Sequence, residues 1–134
     1  MQDRPTVHEL LRAVRAFLER DVVPVVDGPR RFHARVAANV LAIADRELEG
    51  EEAELLDEWR RLAVLLDEES VEPPARLDGL RAAVREWTTI LAERIRRGDA
   101  DGGRFRDAVR AHVRATVRRK LAVANPRVLG GEPT

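Results

Sequence analysis

Apolar residues recur at three- and four-residue intervals over most of the chain, and the first stretch shows this most plainly. Val7, Leu10, Leu11, Val14, Phe17, Leu18 and Val22 fall on one arc of a helical wheel, and Glu9, Arg12, Arg15, Glu19 and Arg20 take the other. Thr6 followed three residues on by Glu9 is a capping-box pattern, in which hydroxyl and carboxylate satisfy backbone donors left unpaired by the first turn. A first helix is expected to start there. VVPVVDGPR, residues 22–30, interrupts the pattern, because Pro24, Gly28 and Pro29 oppose helix while the valines favour burial. An extended, packed connector is expected.

A second helix is predicted over about 30–48, with Ala34, Ala38 and Ala42 on the side where charges would ordinarily sit. Small residues there permit close approach, so this helix is expected at the centre of a bundle. His33 and Glu47 project from its apolar side, with Asn39 at the edge. After Gly50 a third helix places Leu55, Leu56, Trp59, Leu62, Ala63 and Leu66 on one stripe. Its end, LAVLL, is apolar nearly all round, which leaves Val64 and Leu65 as a candidate contact with another copy of the chain. EESVEPPARL, residues 68–77, reads as a loop. A fourth helix sets Leu77, Leu80, Val84, Trp87, Leu91 and Ile95 in one seam and stops at RRGDADGG, residues 96–103. The last, about 104–123, is expected to bury Phe105, Val109, Val113, Thr116 and Val117. Pro126 disfavours helix at Asn125, and residues from about 129 to 134 read as a loose tail. The reading is all-α: a single-domain bundle of about five helices over residues 1–134, the second central.

Composition narrows the chemistry. A chain of 134 residues suits one domain, and 44% hydrophobic with 36% charged residues excludes a disordered chain. The 24 basic residues, all arginine except Lys120, balance 24 acidic ones, so net charge points to no polyanionic partner and does not favour nucleic acid. The absence of cysteine removes disulfides, thiol catalysis and cysteine-held metal centres. MQDRPTVHELL lacks the apolar run of a signal peptide, and nowhere do about 18 apolar residues follow one another. A cytoplasmic location without membrane contact is expected.

Catalytic equipment is sparse. Ser70, the only serine, has no G-x-S-x-G around it, and HELLR at 8–12 puts Arg12 where a zinc protease needs its second histidine. No Glu-x-x-His pair and no phosphate-cradling glycine pattern occurs. No catalytic residue, metal ligand or cofactor is therefore assigned. Arg106, Arg110, Arg114 and Arg118 recur every four residues and form a basic ridge. It is expected to face the acidic block DRELEGEEAELLDE, residues 45–58, with phosphate binding as the alternative. His33 and Asn39 read first as hydrogen-bonded interior groups. Should they converge with Lys120, Asn125 and Arg127, the five would form a pocket for an anionic small molecule. Glu47 lies about 14 residues beyond His33, about 21 Å at helical rise, so within one helix the two cannot share a ligand. It is expected to meet an arginine from a neighbouring segment, or to sit where the helix end meets water.

Three segments, MQDRPTVHELLRAVRAFLERDVVP, RFHARVAANVLAIADREL and KLAVANPR, resemble an uncharacterised bacterial all-helical domain family. Its members are found beside or fused to aminoglycoside-phosphotransferase-like proteins and acyl-CoA dehydrogenases. The resemblance implies a neighbourhood rather than an activity: an accessory, self-associating domain partnering a phosphotransferase-like or acyl-CoA-handling enzyme. The alternatives are a binding module or weak acid-base enzyme for an anionic metabolite, and nucleic-acid binding through the arginine ridge.

Overall fold

The computed structural model describes residues 4–130, so most of the expected tail, residues 131–134, lies outside the described residues. The fold is all-α, with four α-helices among the described residues: α1 Val7–Phe17, α2 Gly28–Leu66, α3 Leu77–Arg96 and α4 Gly103–Ala124. A π-helical turn, Leu18–Val22, extends α1, and a 3-10 turn, Pro126–Val128, follows α4. α2 is the longest element, because the expected second and third helices run together through Gly50. A single glycine inside a helix costs about 1 kcal/mol relative to alanine. The glutamates, alanine and leucines flanking it are strong helix formers and outweigh that cost. Contacts divide the chain into two compact units between Gly50 and Glu51.

In the first unit α1 begins as its sequence requires. Thr6 accepts from the Glu9 amide at 3.2 Å, and its own amide donates to the Glu9 carboxylate at 2.8 Å. The connector is not extended. Val23 donates to the Leu18 carbonyl and Val25 and Val26 to that of Val22, curling the chain, while the Arg31 guanidinium donates to the Val26 carbonyl at 2.8 Å. Val25 is left exposed. The first part of α2 then turns its small side inward: Ala34, Ala38 and Ala42 are buried, and Asp45 on the same side meets His8 at 2.5 Å and Arg12 at 2.8 Å from α1. Arg12 first, then His8, hold the Asp45 carboxyl below its usual range.

The second unit holds the larger core. Trp59, Leu62, Ala63 and Leu65 of α2 pack with Leu80, Val84 and Leu91 of α3 and Val109 of α4. The Trp59 and Trp87 rings stack with centroids 4.9 Å apart. Leu62 is wholly enclosed, a burial that contributes about 1.5–3 kcal/mol. At one end Arg94 ties three elements together: it donates to the Leu65 carbonyl at 3.1 Å and to Asp99 at 3.2 Å, and lies 4.3 Å above the Phe105 ring. α3 closes on Gly98 in the left-handed region, with Asp99 donating back to the Arg94 carbonyl. Asn125 departs from helical geometry ahead of Pro126, as proline requires of its predecessor.

Candidate functional site

A groove of about 660 Å³ opens in the second unit between α3 and α4, with α2 at its base. Its existence follows from where the apolar arc of α4 stops being covered. Val109 is buried, but Val113 and Val117, expected in the core, are 47% and 48% exposed because they form a groove wall. Leu55, Val84, Leu91 and Ile95 supply apolar surface opposite. Cavities of about 300–1,000 Å³ with apolar walls and a few placed polar groups are the ordinary form of a small-ligand site.

The polar groups come in helical rows. On α4, His112, Thr116 and Lys120 follow one another at four-residue spacing and all line the groove; on α3, Arg81 and Arg85 do the same. Arg81 is engaged with Glu51 at 2.5 and 2.6 Å, a bidentate pair that keeps the Glu51 carboxyl below its usual range. Arg85 and Lys120 are exposed, and neither meets a carboxylate among the described residues. They are the cations left over for a ligand.

His112 is buried, and its surroundings favour the neutral ring. Burial first, and then the charge of Arg61, push its pKa below 6.5, against the opposing pull of Glu58. Arg61 Nε lies 3.5 Å from His112 Nδ1 and donates to it, and another Arg61 nitrogen reaches the Thr116 hydroxyl at 3.3 Å. Arg61 also pairs with Asp57, which Arg119 meets at 3.1 Å. The Thr116 hydroxyl in turn donates to Glu58 Oε1 at 3.5 Å. The network fixes side chains on one wall. The threonine hydroxyl is thereby engaged with Glu58 and the imidazole lone pair with Arg61.

The expected site residues are distributed differently from the sequence reading. His33 and Asn39 are exposed on the first-unit part of α2, not interior; the His33 ring lies 5.7 Å from that of Phe32. The bulky side of this helix faces outward because the small side packs inward. Glu47 is exposed too and makes no ion pair among the described residues. Lys120 lines the groove, whereas Asn125 and Arg127 are exposed beyond the end of α4 and do not. Of the expected contact pair, Val64 is 60% exposed but Leu65 is buried in the core of its own unit.

Along the ridge, Arg106 pairs with its neighbour Asp107 at 3.4 Å, and Arg110, Arg114 and Arg118 are exposed without carboxylate partners among the described residues. The acidic block takes other bases instead: His8 and Arg12, Arg81, and Arg61 with Arg119. Sequence reasoning missed Arg85, Glu58 and His112. The four-residue row of His112, Thr116 and Lys120 beside the row of Val109, Val113 and Val117 was the signal that could have found the groove wall.

Among the described residues no group of His, Asp and Glu side chains has the geometry of a metal site, and no helix is long and apolar enough to cross a membrane. A family model described as a domain of unknown function, DUF6285, matches residues 24–128. The chain belongs to the DUF6285 family. The DUF6285 match takes in the groove walls on α2, α3 and α4 and leaves α1 outside it. No curated protein and no solved structure matches the chain.

Proposed function

We propose that this chain is a non-catalytic accessory domain, acting in the cytoplasm, whose groove binds an anion carrying an apolar chain, such as an acyl carboxylate. One observation carries the reading: Arg85 and Lys120, both without carboxylate partners among the described residues, stand on a largely apolar groove of ligand size whose other charged groups, Arg81 and Glu58, are already engaged within the chain. Apolar walls would take the chain, and the two cations would take the head with charge-assisted hydrogen bonds. Acyl anions are also what an acyl-CoA-handling partner enzyme would share with such a domain. This agrees with the resemblance to chains of an uncharacterised bacterial family found beside such enzymes or phosphotransferase-like ones.

Calorimetric titration of the full chain with decanoate tests this. Saturable binding is expected, weakened about tenfold by Lys120→Ala or Arg85→Ala, a loss of about 1.4 kcal/mol. Acetate, which has no chain to bury, should not bind. Decanoate binding that is absent, or indifferent to both substitutions, would refute the reading. A second reading is favoured by Arg110, Arg114 and Arg118, which have no carboxylate partner among the described residues: phosphates of nucleic acid along the ridge. Salt-sensitive retention on nucleic acid, lost in the Arg110→Ala, Arg114→Ala double variant, would support it instead.

A further inference from the structure

Among the described residues of the first unit, only Ala34, Ala38 and Ala42 are buried. The larger apolar side chains that close this interior, such as Leu11, Leu18 and Leu41, are only half-buried, so the unit encloses little apolar surface completely. On the opposite side of the same helix the large residues are uncovered: Phe32 is 65% exposed, Val40 54% and Val36 44%, with Ile43 half-buried between them. Phe32, Val36, Asn39 and Ile43 follow at intervals of four, three and four, the spacing of a helix-pairing seam. Asn39 at a seam position is the sort of polar residue that sets register and orientation in such pairs.

The charged flank of the seam says which partner fits. His33 and Glu47 lie seven residues either side of Val40, and both are exposed. A second α2 running parallel would set His33 against His33 and Glu47 against Glu47. Running antiparallel about a two-fold axis at Val40, each imidazole N–H meets a carboxylate, twice over. The same register sets Val36 at the height of Ala44.

We infer that the outward face of α2 is the contact between two copies of this chain, packed antiparallel across Val40 with His33 of one copy bonded to Glu47 of the other. This surface is separate from the groove and from Val64. It also gives the polar residues of that face a structural role between chains rather than within one.

The sequence has no cysteine, so single cysteines report the contact cleanly. Val40→Cys in the full chain should be joined into a covalent dimer by a short bis-maleimide. Phe17→Cys, equally exposed at 55%, should stay largely monomeric under the same conditions. Glu47→Lys should weaken self-association at least tenfold in sedimentation equilibrium, and adding His33→Glu should restore it. A strictly monomeric wild-type chain, equal cross-linking at both cysteines, or a charge swap that fails to restore association would overturn the inference.

Discussion

At the scale of single residues, His112 is the group whose environment departs most from its sequence context. On an exposed helix face a histidine titrates near 6.5, but here burial and Arg61 favour the neutral ring. The unfolded chain therefore takes up a proton that the folded chain resists. Stability from this residue is fully present above pH 6.5 and is lost as pH falls below it toward the lower folded value. Thermal melts between pH 7.5 and 5 should fall more steeply for the wild type than for His112→Gln, which cannot titrate. Parallel curves would show that the ring is not held as described. Little of this was legible in the sequence: Lys120 stood out as the sole lysine, whereas the environment of His112 rests on its burial in the fold and on the charge of Arg61, 51 residues away.

At the scale of elements, periodicity identified which residues share a helix face but not what covers that face. The seam of α3 was expected and is buried at Leu80, Val84 and Leu91, because α2 and α4 pack on it. The same kind of arc on α1 stays half exposed at Val7, Leu10, Val14 and Phe17. Ends were legible where side-chain chemistry marks them, as at Thr6 and Gly98. The end of α2 was legible too, since the apolar LAVLL and the polar loop after it place it at Leu66, although the residue just beyond breaks the usual preference. Asp67 takes the left-handed conformation, at φ 61°, while Glu68 donates back to the Ala63 carbonyl at 2.8 Å. Most proteins place glycine there, since a side chain is strained and a negative charge opposes the helix dipole. Asp67→Gly should therefore raise stability by about 1 kcal/mol in urea unfolding. No change or a loss would mean that the Asp67 side chain contributes something the geometry does not reveal.

At the scale of the molecule, the two units present two different surfaces. One carries a seam of large apolar residues flanked by a histidine and a glutamate; the other encloses a groove with two spare cations. The all-helical class was legible from spacing alone. The groove was not, because it arises where three helices meet and leave Val113 and Val117 uncovered. The most direct measurement is a titration of the isotopically labelled full chain with decanoate, followed by amide chemical shifts. The account predicts saturable changes concentrated at Thr88, Ala92, Val113 and Thr116 around the groove, with α1 unmoved. Shifts that do not saturate, or that gather anywhere but the groove, would contradict it.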